Sequence, residues 1–104
     1  MTTKLIEAFL TPELICSNIK TSLHFYTKIL GFNVQYQREE EGFAMLERQG
    51  SHLMLDEIKD PTGKYRSWIA APLEAPFGRG INLQIKTTNV DTLYHHATAM
   101  GASI

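Results

Sequence analysis

Two stretches of this chain follow one design, and that repetition limits its fold more than any other feature. The first runs from Pro12 to Phe32, PELICSNIKTSLHFYTKILGF. Apolar residues alternate through Leu14 and Cys16, as they do in a strand with one face against a helix. Asn18 follows as a helix cap, because its short amide accepts from the free N–H groups of a first turn. Leu23, Phe25, Tyr26, Ile29 and Leu30 then supply apolar residues at helical spacing. Gly31 ends the helix by entering the left-handed region that other residues resist. The second stretch is INLQIKTTNVDTLYHHATAMGASI, with Asn89 in the place of Asn18 and Gly101 in the place of Gly31. The chain therefore reads as an α+β protein built from a repeated strand–helix unit.

Between the two stretches the pattern changes. Phe32 to Glu39 alternates apolar and polar residues, as a half-exposed strand does. Glu39, Glu40 and Glu41 followed by Gly42 make a hairpin turn. Phe43 to Arg48 and His52 to Glu57 read as two more strands, separated by Gln49, Gly50 and Ser51. The order is strand, helix, strand, strand, strand. A long connector follows from Ile58 to Arg79, with a turn at Asp60-Pro61-Thr62-Gly63, breaks at Pro72 and Pro76, and the single tryptophan, Trp68. Connectors of this length in a small domain are functional loops or edge strands. Ile81 to Thr87 is expected to be the second unit's strand and Val90 to Met100 its helix. Met1 to Leu10 is expected to be a lead-in strand or a frayed arm.

The 104 residues make one domain, with a first unit of about 8–57, a connector of about 58–79 and a second unit of about 80–104. As read, the second unit stops after its helix. The expectation is either a fragment of a longer protein or a second half completed by another chain.

Ten Lys and Arg against eleven Asp and Glu give a formal charge of -1, which offers nothing to attract nucleic acid or an anionic membrane. Cys16 is the only cysteine, so an internal disulfide and a multi-cysteine zinc site are excluded. The opening residues lack a secretory pattern, and no apolar run approaches the roughly 20 residues of a membrane span. A cytoplasmic location is the expectation.

The run SLHFYTKILGF resembles the first helix of the vicinal oxygen chelate superfamily, the glyoxalase, bleomycin resistance protein and dioxygenase group. Pro12-Glu13-Leu14, PFGRGINLQI and NVDTLY are similar to the bleomycin resistance branch. The resemblance implies paired βαβββ units whose sheets curl into a cup, often as a strand-exchanged dimer. Its enzymes hold a divalent metal in the cup. The matching positions here are Thr11, seven residues before Asn18; Asn82, seven before Asn89; and Met54, inside Leu53-Met54-Leu55. None is an imidazole or carboxylate, the ligand types that such metals use. The resemblance therefore points to a metal-free cup with no cofactor, and the reading leans away from an enzyme.

Alternation places His52, Met54 and Asp56 on one face of their strand, toward the cup, with Thr11 and Glu13 from the first unit and Asn82 and Gln84 from the second. Leu14, Cys16, Leu83 and Ile85 then face the helices as core. Neutral polar groups with Glu13 and Asp56 suit a neutral or cationic ligand, and Trp68 could stack on a planar one. Each has a plainer reading: Glu13 paired with a cation, Trp68 in the core edge or a dimer interface. His24, His95 and His96 fall on helices, where exposed imidazoles are ordinary. Gly78-Arg79-Gly80 lacks the spacing and lysine of a phosphate loop, and Cys16, on the core side without a basic neighbour, is unreactive.

The function expected is binding and sequestration of a small, bleomycin-like molecule by a metal-free cleft in a homodimer, strand exchange being one form of it. The alternative is a divalent-metal enzyme of the superfamily, a glyoxalase-like lyase or an antibiotic-modifying transferase, using His52 or Asp56. A dimerising scaffold with an empty apolar cup is a third reading.

Overall fold

A computed structural model describes residues 8–103 of the chain. The regular elements are strand β1 (Glu13–Cys16), helix α1 (Ile19–His24), strands β2 (Asn33–Arg38), β3 (Phe43–Arg48) and β4 (Ser51–Glu57), and helix α2 (Val90–Ala99). The first four strands and α1 form one complete βαβββ unit. Most of the expected lead-in, Met1 to Leu10, lies outside the described residues.

Caps set the ends of the helices. The Asn18 side chain accepts from the Thr21 N–H at 3.1 Å, and Asn89 accepts from the Thr92 N–H at 3.0 Å. Each offsets one of the unpaired donors of a first turn. Beyond α1 the chain widens into a π-helical stretch, Phe25–Ile29, in which the Leu30 N–H donates to the Phe25 carbonyl at 3.1 Å. Gly31, at φ 80°, then turns the chain back toward β2.

The sheet order is β1-β4-β3-β2. β1 runs parallel to β4, placing Glu13 beside Met54 and Ile15 beside Asp56. β3 is antiparallel to both β4 and β2. Gly42, at φ 66°, closes the β2–β3 connection, and a Cβ there would stand 2.7 Å from Glu57 Oε2. Alternation gives the sheet two unlike faces. Cys16, Ala44, Leu46, Leu53 and Leu55 are buried with Phe32, and Leu14, Ile19, Leu23, Tyr26 and Leu30 pack on them. The core therefore lies between the sheet and the first helix. Leu14 and Cys16 occupy the expected side.

Two expectations are corrected. The sheet is open, with β1 and β2 as its edges, and is neither closed nor strongly curled; the curled-sheet cup is not formed. The cause lies in the second unit. Ile81 to Thr87 has no regular structure and joins no strand, so among the described residues nothing continues the sheet past β1. Leu83 and Ile85 are accordingly not core: they are 46% and 39% exposed, in line with Ile81 at 60%. A strand with half its residues apolar is stable only when another strand completes its backbone pairing and another layer covers its apolar side.

The second unit is tethered to the first by polar contacts. Arg48 Nη1 donates to Thr87 Oγ1 at 2.8 Å, Gln49 Nε2 donates to Thr88 Oγ1 at 3.2 Å, and His96 Nε2 lies 2.8 Å from the Lys28 carbonyl. Of α2, Ala97 alone is buried.

Candidate functional site

A cleft of about 540 Å³ runs along the outer edge of β1. Leu14, Cys16 and Leu55 reach it from the helix side of the sheet, and Glu13 and Ile15 from the other. Ser22 lines it from α1 and Tyr26 from the π-helical stretch beyond. The opposite wall is the connector, with Trp68, Leu73, Pro76 and Phe77, and Ile81 also lines the cleft. The volume is within the roughly 300–1,000 Å³ of small-molecule sites, and the lining matches their mix of apolar walls and few polar groups.

The connector is held in place chiefly by Arg66. Its Nε donates to the Glu57 carbonyl at 2.8 Å, and its Nη2 donates to the carbonyls of Glu41 and, at 3.4 Å, Gly42. Asp60 tightens the turn before it, accepting from the N–H groups of Thr62 at 2.9 Å and Lys64 at 3.0 Å. A long connector with internal turns and one arginine anchor can stand as a wall.

The residues expected from the sequence divide into three groups. Glu13 and Trp68 line the cleft. His52, Met54 and Asp56 lie one strand further in, on the face of β4 away from the helices, opposite Glu47, Met45 and Phe43 of β3. Thr11, half-buried, precedes β1. Asn82 and Gln84 are exposed on the unpaired segment and are not among the lining residues. Tyr26, Phe77 and Ser22 were not anticipated. Tyr26 reads from sequence only as a core position of the helix, whereas Pro76-Phe77-Gly78, an aromatic held between two chain-bending residues, was a signal for a presented ring.

The electrostatics centre on two carboxyls. Asp56 is only 4% exposed, and its side chain hydrogen-bonds that of Glu13 across the β1–β4 pair. That shared hydrogen bond, with partial desolvation and the charge of Asp56, pushes Glu13 up to about 7, although Arg66 pulls it the other way. Burial raises the Cys16 thiol, which keeps it protonated and weakly nucleophilic. His52 is buried as well, and its Nε2 has no hydrogen-bond partner among the described residues.

The residues do not fit a divalent metal. Thr11, Met54 and Asn82 would offer a hydroxyl, a thioether and an amide, and they sit on three separate parts of the chain. Among the described residues no three His, Cys, Asp or Glu side chains stand close enough together to hold an ion. No helix among those residues is long and apolar enough to cross a membrane.

Comparison with known proteins places these features in context. The profile of the Glyoxalase/Bleomycin resistance protein/Dioxygenase superfamily matches residues 8–104. A superfamily member from Vibrio splendidus 12B01 is 32% identical, covering 88% of this chain and 66% of its own, with a TM-score of 0.46. A glyoxalase/bleomycin resistance protein/dioxygenase from Nocardioides is 24% identical, covering 97% and 66%, with a TM-score of 0.67. A virulence protein from Salmonella typhimurium is 18% identical, covering 96% and 73%, with a TM-score of 0.63. The chain spans 66% of the length of the first two. No curated protein matches it in sequence.

Proposed function

The chain belongs to the glyoxalase/bleomycin resistance protein/dioxygenase superfamily, and from that premise we propose that it binds a small molecule and sequesters it without altering it. The observation that carries this reading is the cleft at the outer edge of β1, where Glu13 and Trp68 meet on one wall system with Tyr26 and Phe77. Three aromatic rings around one space favour a planar group, since stacked and edge-to-face contacts each add to simple burial. A carboxyl at the rim, backed by Asp56, favours a cationic one. The ligand class is therefore a cationic molecule with a planar part, of which bleomycin-like compounds are an example. Sequestration needs no reacting group: a binding protein in excess holds the free concentration below the level that harms a target.

We further propose that the working form is a homodimer, with strand exchange as one way to build it. The exposed Ile81, Leu83 and Ile85 support this, because a group of apolar residues left uncovered by the described residues is the kind of surface that a partner buries.

Trp68 is the only tryptophan, so its fluorescence reports on this cleft alone. Titration with metal-free bleomycin in excess chelator is expected to give saturable quenching, and the same curve with and without chelator. Quenching that requires added metal would instead favour the metal-dependent reading. An unchanged spectrum at saturating compound would remove Trp68 and this ligand class from the proposal.

A further inference from the structure

The tip of the β3–β4 hairpin holds a residue that suits its turn badly. Arg48 pairs with Ser51 across the two strands, so Gln49 and Gly50 form a two-residue loop. Their φ values are 49° and 88°, and Gln49 is the one residue other than glycine with positive φ among those described. Loops of this kind favour Asn followed by Gly, because Asn tolerates the left-handed backbone better than longer side chains do. Asn would serve the turn better than Gln, but its amide stands one methylene nearer the main chain.

The longer arm carries the Gln49 amide to the second unit. Gln49 Nε2 donates to Thr88 Oγ1 at 3.2 Å, and Gln49 Oε1 accepts from the Thr88 N–H at 3.2 Å. The side chain thus meets Thr88 with a donor and an acceptor at once, as a neighbouring main chain would. Beside it, Arg48 Nη1 donates to Thr87 Oγ1 at 2.8 Å. Thr87 and Thr88 directly precede Asn89, the cap of α2. Apolar burial cannot orient this helix, because Ala97 is its only buried residue and apolar contact has no direction. Hydrogen bonds do have direction. The hairpin tip supplies them at the start of α2, and His96 Nε2, 2.8 Å from the Lys28 carbonyl, adds one further along.

We propose that the hairpin tip is a clasp that sets the placement of the second unit on the first, and that the strained backbone of Gln49 serves the reach of its side chain. Backbone strain held in place by a specific contact is the mark of such a device. The clasp is also a reversible joint. Exposed hydrogen bonds open far more readily than a packed core, so α2 can leave and return while β1–β4 and α1 stay folded. The inference stands on the hairpin and does not depend on what the cleft binds.

Gln49→Asn tests it, since this variant improves the turn and shortens the arm. In amide hydrogen exchange of the full chain, the N–H groups of Thr88 and α2 should exchange about tenfold faster. Those of β3 and β4 should keep their rates, and the thermal midpoint should hold or rise. Gln49→Glu keeps the reach and an acceptor for the Thr88 N–H, and the Thr88 hydroxyl can turn to donate to it, so protection should return. Residual dipolar couplings, which read the direction of α2 against the sheet, should fit one orientation in the natural protein and a spread of orientations in Gln49→Asn. Unchanged exchange and a single orientation in Gln49→Asn would overturn the clasp and leave Gln49 as a turn residue only. Equal acceleration in α2, β3 and β4 would overturn the joint, since the two units would then open as one body. Exchange of α2 in the natural protein that slows with chain concentration would overturn the proposal in favour of a second copy as what holds the helix.

Discussion

The Asp56 carboxyl beside Glu13, through a side-chain hydrogen bond, makes Glu13 harder to ionise than an isolated carboxyl. The Glu13 pKa of about 7 stands above the ordinary 4.5, so the folded chain holds the proton more tightly than the unfolded chain. The contribution to stability is whole below about pH 4.5 and fades as pH rises through about 7. The thermal midpoint should therefore fall across that window. Glu13→Gln cannot ionise and keeps a donor for Asp56, so it should flatten this part of the profile and raise the midpoint above neutral pH. Glu13 is exposed, so solvent screening keeps the effect modest. Superimposable profiles for the two proteins would show that Asp56 does not act on Glu13 in this way. The same pair bears on binding: a cationic group that settles beside it displaces the proton, so affinity for such a ligand should rise with pH.

Both helices carry the same cap, yet their caps should not be worth the same to the protein. α1 presents Ile19 and Leu23 to the core, whereas α2 buries Ala97 alone. Losing a cap costs about 1 kcal/mol of helix stability. In Asn18→Ala that cost falls on the cooperative core, so denaturant unfolding should shift by about 1 kcal/mol. In Asn89→Ala the loss should stay local, with faster amide exchange along α2 and a global midpoint nearly unchanged. Equal global shifts would mean that α2 belongs to the same cooperative unit. This difference also marks how far the sequence could be read. Asn18, Asn89, Gly31 and Gly101 announce helix ends through local chemistry, and the alternation in Phe43 to Glu57 announces β3 and β4, so these elements were legible. Ile81 to Thr87 has the same alternation but, among the described residues, no strand beside it, because pairing is a property of the neighbour and leaves no trace in the segment itself. The cleft was half legible for the same reason. Glu13 and Trp68 were within reach, but the meeting of Tyr26 with Phe77 depends on a π-helical widening and an arginine anchor that no short motif encodes.

At the scale of the molecule, part of the exposed apolar surface is grouped in one stretch of the chain. Ile81, Leu83 and Ile85 are exposed on the segment before α2, and Val90 and Tyr94 follow on α2. Single exposed apolar residues are ordinary, whereas rows of them mark surfaces that a partner covers. Because Leu83 and Ile85 are 46% and 39% exposed in the single chain, a longer charged side chain can reach water there and should cost that chain little. In the proposed homodimer each charge would be buried without a counter-ion, a loss of several kcal/mol across two copies. Light scattering should therefore give twice the chain mass for the natural protein and the single-chain mass for Leu83→Lys/Ile85→Lys, with the helix signal intact. A natural protein that runs at the single-chain mass would remove the dimer. Ile81 joins this surface to the cleft, since it both begins the apolar group and is among the residues that line the cleft. If a second copy covers the group, it also covers part of the cleft lining. The charged double variant should then bind metal-free bleomycin more weakly, although neither substituted residue lines the site.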